Sequence, residues 1–121
     1  MFDLSTTGNR TAFEPGETIE VTADWLFETN FESVELRLVW YTRGKGDTDV
    51  SVVQRVPFEF PSLSETRQAT LELPMAPYSF SGKLISLCWS IELVADDGDA
   101  SHRLDITMAP SAQEVMLHGD P

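Results

Sequence analysis

The acidic turn Asp96-Asp97-Gly98-Asp99 carries the residue types that best suit a metal ion. Ca²⁺ prefers six or more hard oxygen ligands, and a flexible turn can supply several of them. A calcium loop also needs a distant bidentate carboxylate, which the following Ala100-Ser101-His102-Arg103 does not provide. The spacing therefore predicts a plain Asp-Gly hairpin turn and no metal site.

The two histidines of the chain, His102 and His118, are weak candidates for chemistry. A histidine-based metal site would need both of them plus carboxylates, and His118 falls in a tail with little pattern. A Ser-His-Asp triad can be drawn from Ser101, His102 and Asp105. Neighbours on one strand point to opposite faces, however, and no nucleophile elbow accompanies these three residues. We expect no catalytic residue among them.

The single cysteine and the glycine pair are also expected to be structural. Cys88 lies between Leu87 and Trp89, which do not supply the electropositive surroundings that reactive cysteines have. Gly44-x-Gly46 precedes no helical pattern and lacks the further glycine of a dinucleotide loop. The sequence therefore predicts an inert thiol, a hairpin loop and no cofactor site.

A set of aromatic side chains is the remaining candidate for ligand binding. Exposed rings would form a stacking platform for sugars, but most of these positions fall on predicted inner faces, where rings ordinarily pack in the core. Binding of a carbohydrate or small ligand is therefore an alternative function. The aromatic side chains that could contribute to it are Trp25, Phe27, Trp40, Tyr41, Phe58, Phe60, Tyr78 and Phe80.

The elements that position these residues alternate at period two. In the run 84–94 the odd positions are apolar, and Ser86, Cys88, Ser90 and Glu92 stand opposite them. Such a strand is expected to bury one face, with Trp89 at the centre of the core, and to expose the other to water. Alternation also occurs in 19–25, 34–41, 50–60, 69–73 and 104–108. These runs predict an all-β, Ig-like antiparallel sandwich of about seven or eight strands with Greek-key connections.

Turn residues between the runs predict how the strands are joined. Glu14-Pro15-Gly16-Glu17 predicts a type II turn, in which Gly16 supplies the positive φ. Hairpins are expected between 34–41 and 50–56, and between 84–94 and 104–108. Val115 and Leu117 are expected to form a last short strand.

Three segments resemble the arrestin-like β-sandwich superfamily. Residues 13–21 are similar to its opening Pro-Gly-Glu turn and strand, and 56–60 with Leu71-Glu72-Leu73-Pro74 to its paired central strands. Residues 77–82 followed by 88–93 are similar to its Pro-x-Ser link into a long aromatic strand. The resemblance implies a single-domain, bacterial-type arrestin-like sandwich that acts as a non-enzymatic adaptor or scaffold.

Length and charge narrow the possible partners. The chain has 121 residues, with 8 Lys+Arg and 20 Asp+Glu for a formal net charge of −12. We expect one domain over residues 1–121, with 110–121 as a weakly ordered tail or last strand. The charge argues against binding to nucleic acid or anionic lipid and leaves a basic partner or none. The lack of a long apolar run argues against direct membrane insertion. One cysteine and no apparent signal or spanning segment favour the cytoplasm, or the soluble part of a membrane-tethered protein.

These features together predict a non-catalytic protein-interaction or adaptor module without cofactor or metal. Residues 50–56 contain four valines and Arg55 as their only charge, while Pro57 and Pro61 cannot donate to a ladder. At a sheet edge this run would accept an extended partner segment by strand addition. The same composition suits a central strand that is already paired on both sides, so both placements stay open.

Overall fold

The structure, a computed structural model, describes residues 2–28, 31–44, 49–82, 85–96, 100–110 and 115–116. Apart from a short 3₁₀ turn at Thr7–Asn9, the regular elements in these residues are strands. Seven of the strands have five or more residues, which fits the predicted all-β class. The strands are β1 (Phe2–Thr6), β2 (Ala12–Phe13), β3 (Thr18–Leu26), β4 (Val34–Gly44), β5 (Val50–Phe58), β6 (Ser64–Glu72), β7 (Phe80–Ser81), β8 (Ile85–Ala95), β9 (Ala100–Met108) and β10 (Val115–Met116).

The strands form two sheets that enclose one core. The smaller sheet has the antiparallel order β1-β3-β6. The larger sheet is built on the antiparallel series β9-β8-β4-β5. Short parallel pairs attach β2 to β9 and β10 to β7, and β7 also pairs with the start of β8. The chain passes from one sheet to the other after β1, β2, β3, β5 and β6, which fits the predicted Greek-key connections.

The core is made of apolar side chains from the inner faces of both sheets. Trp89 is 0% exposed, and its indole Nε1 donates a hydrogen bond to the carbonyl oxygen of Pro77 at 2.8 Å. The predicted central position of Trp89 is therefore confirmed. The largest of the other buried side chains are Ile19, Trp25, Leu36, Leu38, Leu71, Ile91, Leu93 and Met108.

Local turn chemistry is as the sequence predicts. Gly16 has a φ of 79°, and the Glu17 N–H donates to the carbonyl oxygen of Glu14 at 3.2 Å. Both predicted hairpin pairings, β4 with β5 and β8 with β9, are present and antiparallel. The tips of those hairpins, 45–48 and 97–99, lie outside the described residues, as does His118.

Several boundaries differ from the predicted ones. β6 begins at Ser64, whereas the apolar alternation marks a strand only from residue 69. Its first half, Ser-Glu-Thr-Arg-Gln, has no apolar residue, so only the ladder with β3 makes it a strand. β5 ends at Phe58 and not at residue 60, and the last strand is Val115–Met116, with Leu117 outside the described residues.

The sequence also predicts that the second face of β8 is exposed to water. This prediction is wrong at the centre of the strand. Ser90 is 0% exposed although it points away from the core. β8 has β4 on one side and β9 on the other, so Ser90 lies between Val39 and Asp105 in the pairing register. The middle of the outer face is therefore covered, although the residues of β8 on this face are small or polar.

Candidate binding surfaces

Arginines are concentrated on the outer face of the larger sheet, which we call the arginine face. Of the 8 Lys+Arg in the chain, Arg37, Arg43, Arg55 and Arg103 lie here, on β4, β5 and β9. Glu35, Glu92 and Asp105 lie on the same face. Positive and negative side chains are therefore nearly balanced on this surface of a chain whose net charge is −12.

Tyr41 lies at the centre of the arginine face and is covered by two guanidinium groups. The Arg103 Cζ atom is 4.7 Å from the ring centroid and the Arg43 Cζ atom is 5.7 Å from it. Arg43 Nη2 also donates to the Tyr41 hydroxyl at 3.3 Å. Tyr41 is only 7% exposed, so its ring is not available as a stacking platform for a sugar.

Glu35 holds two of the arginines together. Arg37 Nε donates to Glu35 Oε2, and Arg55 Nη1 lies 3.1 Å from the same oxygen. Partial burial alone would raise the pKa of Glu35, but the hydrogen bonds from Arg37 and Arg55 hold it below its ordinary value. Arg103 makes a comparable pair with Glu92 at 3.3 Å. These pairs tie Arg37, Arg55 and Arg103 to carboxylates of the same face.

Asp96, the described member of the acidic turn, accepts hydrogen bonds from the backbone. Its Oδ1 accepts hydrogen bonds from the backbone N–H groups of Glu32 and Ser33, each at 2.9 Å. The carboxylate therefore ties the end of β8 to the start of β4 and has a structural role. Asp97 and Asp99 lie outside the described residues. Within the described part of the chain no group of three His, Cys, Asp or Glu side chains is placed to hold a metal ion.

Ser101, His102 and Asp105 do not form a catalytic triad in the structure. His102 pairs with Leu93 on the core side of β9, while Ser101 and Asp105 lie on the outer side. The alternation of side chains that argued against a triad in the sequence thus separates the three residues in the structure.

Cys88 lines a cavity that the sequence did not predict. The cavity has a volume of about 170 Å³, and its walls include Arg43, Asp105 and Tyr41. The pKa of Arg43 is raised, first by its hydrogen bond to Tyr41 and then by the charge effects of Tyr41 and Cys88. Folding therefore brings a guanidinium near Cys88 that its sequence neighbours do not supply. The inertness of this thiol stays a prediction.

Most of the aromatic candidates belong to the core or pack against it. Trp25 and Phe58 are buried, and Phe27, Trp40 and Phe80 pack against the core cluster. Only Phe60, at 90%, and Tyr78, at 40%, are largely exposed. Phe60 follows β5, whereas Tyr78 precedes β7 near the opposite end of the sandwich, so these two rings form no common platform.

The edge of the larger sheet is formed by β5, as one of the two predicted placements requires. Among the described residues β5 pairs with β4 alone. Val50 is 65% exposed and Val53 is 41% exposed, and the register shifts between Leu38 and Val39, so that Val53 forms a bulge. β6, a long edge of the smaller sheet, has one of its backbone groups occupied, because the Glu72 N–H donates to Gln54 Oε1 of β5 at 3.1 Å.

Comparison with known proteins supports the fold. Neither a protein-family model nor a curated protein sequence matches the chain. The crystal structure of Spo0M, a sporulation control protein from Bacillus subtilis, aligns with a TM-score of 0.60 and 16% identity. The alignment covers 89% of this chain and 48% of Spo0M, so the chain spans about half the length of that protein. This likeness supports an arrestin-like β-sandwich fold.

A second structural neighbour is a β-glucosidase from Listeria innocua in complex with gluconolactone. Its TM-score is 0.44 at 16% identity, and the alignment covers 95% of this chain and 16% of the enzyme. At this TM-score the likeness supports no inference about activity. No helix in the described residues is long and apolar enough to cross a membrane.

Proposed function

We propose that residues 1–121 form one arrestin-like sandwich that works as a non-catalytic protein-interaction module, with β5 as the strand that receives its partner. The observation that carries this proposal is the unpaired side of β5. In an antiparallel edge strand, alternate residues turn their N–H and C=O groups away from the sheet, where an extended segment can bind them. β5 offers this edge over nine residues.

The side chains of β5 support the same role. Val50 and Val53 are exposed, and Arg55 is the only charged residue of the strand. Pro57 has no N–H group, so we expect the partner to pair along residues 50–56. β6 is a poorer candidate, because it carries Glu65, Arg67 and Glu72 and its edge is partly occupied by Gln54.

The rest of the molecule supports binding without chemistry. The histidine, serine and aspartate candidates of β9 are separated, and Asp96 is occupied by backbone N–H groups. The single cysteine suits a reducing compartment, so we propose that the module acts in the cytoplasm. The net charge of −12 would speed association with a basic partner in a manner that salt weakens.

Hydrogen exchange tests the proposed edge directly. In the free protein we expect amides at alternate positions of 50–56 to exchange readily, because they lack a cross-strand partner. Peptides selected on the protein from a phage-displayed random library should then protect those amides. Uniform strong protection of 50–56 in the free protein would exclude β5 as the binding strand.

A pair of lysine substitutions tests the edge by affinity. Val53→Lys places a charge on β5, as natural edge strands do to prevent strand addition, and should weaken the selected peptides about tenfold. Thr70→Lys makes the same change on β6 and should leave their affinity unaltered. Both variants should keep the free energy of unfolding within about 0.5 kcal/mol of wild type. Equal loss of binding in both variants would contradict the choice of β5.

A further inference from the structure

Phe60 combines an exposed aromatic side chain with a backbone conformation that favours glycine. The side chain is 90% exposed, and φ is 52°. For a residue with a β-carbon this left-handed region is strained, and strained residues persist where the surrounding structure enforces them. The exposed ring contributes little packing energy to offset the strain. Stability of the fold therefore does not explain why a phenylalanine occupies this position.

The loop that carries Phe60 is held by hydrogen bonds to its backbone on both sides. Before Phe60, Arg67 Nη2 donates to the carbonyl oxygen of Glu59 at 3.0 Å. After Phe60, the indole Nε1 of Trp25 donates to the carbonyl oxygen of Ser62 at 2.8 Å. Trp25 is itself only 2% exposed, so this contact joins the loop to the core. The ring is thus presented by an ordered loop, which reduces the entropy lost when it binds.

Other exposed apolar side chains lie at the same end of the sandwich. β3 ends at Leu26 opposite Ser64, so Leu26 is next to the loop that carries Phe60 and Leu63. Leu26 is 56% exposed and Leu63 is 42% exposed. The backbone of this loop is also tied to the end of β3, because the Phe27 N–H donates to the carbonyl oxygen of Leu63 at 2.8 Å. Three exposed apolar side chains are therefore carried by neighbouring segments at one end of the sandwich, and exposed apolar surface of this kind can mark an interaction site.

Acidic residues are frequent in the connecting segments at this end of the sandwich. Three connections meet here, since Val34 at the start of β4 pairs with Phe58 at the end of β5 and with Ala95 at the end of β8. We call this region the loop end; its described connecting residues are 27–28, 31–33, 59–63 and 96. Those connecting residues include no lysine or arginine, and their carboxylates are Glu28, Glu32, Glu59 and Asp96. The Arg67 guanidinium that reaches the Glu59 carbonyl from β6 is paired with Glu65 at 2.9 Å, so the charge of this end remains acidic.

We propose that the loop end is a second docking surface, at which Phe60 inserts into an apolar pocket of a protein partner that is rimmed by lysine or arginine. This partner chemistry rests on the interaction role proposed above but not on the β5 edge. Aromatic side chains commonly anchor interfaces by filling a desolvated pocket of the partner. The carboxylates favour a basic rim and disfavour an anionic lipid surface.

Phe60→Gly is the decisive variant because it separates binding from stability. Glycine adopts positive φ without strain, so the midpoint of chemical denaturation should stay the same or rise. The matched control is Met75→Ala, which removes a side chain that is 68% exposed and follows β6 at the opposite end of the sandwich. The probe is the phage-displayed random peptide library, selected on the wild-type protein.

The inference predicts that one class of selected peptides is enriched in lysine and arginine next to apolar residues. Phe60→Gly should weaken this class about tenfold or more, and Met75→Ala and Val53→Lys should not affect it. Peptides that all lose affinity in Val53→Lys and none in Phe60→Gly would overturn this inference while supporting the β5 edge. Basic peptides that bind equally well to Phe60→Gly would also overturn it.

Two further measurements address other occupants. Binding to phosphatidylcholine vesicles that is lost in Phe60→Gly would show a lipid surface as the occupant and overturn the protein assignment. Self-association in sedimentation equilibrium that is lost in Phe60→Gly would show a second copy of the chain and overturn it as well. We expect the wild-type protein to show neither behaviour.

Discussion

The inner and outer faces of the larger sheet both bury side chains, but with different atoms. On the inner face, apolar residues such as Leu38 and Trp89 are 0% exposed within the core. On the outer face, Val39 and Ser90 are 1% and 0% exposed in the layer that carries the arginines and carboxylates. The polar face of an alternating strand is thus not always exposed to water, because long charged side chains can cover the small residues between them.

The outer face of the smaller sheet shows the contrasting case. Thr18 and Glu20 are exposed there, as are Thr66 and Thr70 on the neighbouring strand. The positions of this face carry hydroxyl, amide and carboxylate groups, without an arginine to lie across them. Short polar side chains therefore leave this sheet solvated, whereas arginines cover the other.

The largest loss of stability is expected from a substitution on the inner face of the larger sheet. Trp89→Ala should lower the free energy of unfolding by about 3–5 kcal/mol, the range for deletion of a large core aromatic. The variant also leaves the Pro77 carbonyl without its indole donor. Urea denaturation of Ile85→Ala, a change at an exposed position of the same strand, provides the control. A loss below about 1 kcal/mol for Trp89→Ala would refute the assignment of faces on β8.

A smaller but clear effect is expected at Tyr41, on the outer face. Tyr41→Ala should cost about 2–3 kcal/mol, since it removes a buried ring and its contacts with Arg43 and Arg103. Tyr41→Phe keeps the ring and should cost less than about 1 kcal/mol. Thermal or urea denaturation would measure both. If Tyr41→Ala were as mild as Thr22→Ala on the smaller sheet, the arginine face would not be a stabilising layer.

The ion pairs of the arginine face should give a weaker, pH-dependent effect. Because the pKa of Glu35 is lowered in the folded state, its stabilisation is complete above the unfolded value of about 4.3 and is lost as pH falls through the folded value. Glu35→Gln should therefore cost up to about 1 kcal/mol at neutral pH and less at acid pH.

The control for Glu35 is Glu20 on the smaller sheet. Glu20 accepts a hydrogen bond from the Thr7 hydroxyl at 3.3 Å, which is a neutral partner, so Glu20→Gln removes no ion pair. Denaturation curves of both variants across the acid range would check the difference. A gap between wild type and Glu35→Gln that widens toward acid pH would contradict the sign of the shift.

The smallest change in stability is expected from a substitution of Ser90. Its Oγ is buried and has no hydrogen-bond partner among the described residues, so Ser90→Ala removes a polar group that gains nothing from folding. The free energy of unfolding should change by less than about 0.5 kcal/mol or rise slightly. A loss above about 1 kcal/mol in the same denaturation assay would reveal a hydrogen bond that holds the outer layer together.

The binding surfaces were less predictable than the strands. The valines of 50–56 fit an edge and a centre equally. What separates the two is that β5 pairs with β4 alone among the described residues. Phe60 reads in the sequence as the end of an apolar strand. The structure ends β5 at Phe58 and turns Phe60 outward, because hydrogen bonds from distant Arg67 and Trp25 set the path of the loop.

The sequence by itself determined the alternating apolar strands, the Gly16 turn, the hairpin pairings and the burial of Trp89, but not the polar first half of β6. These features follow from short-range rules, because side chains alternate along any strand and glycine tolerates positive φ wherever it stands. Tertiary structure alone decided that β5 is an edge, that Ser90 is covered, and that Arg43 lies beside Cys88. Each of these depends on which distant strands become neighbours, and a local pattern does not contain that information.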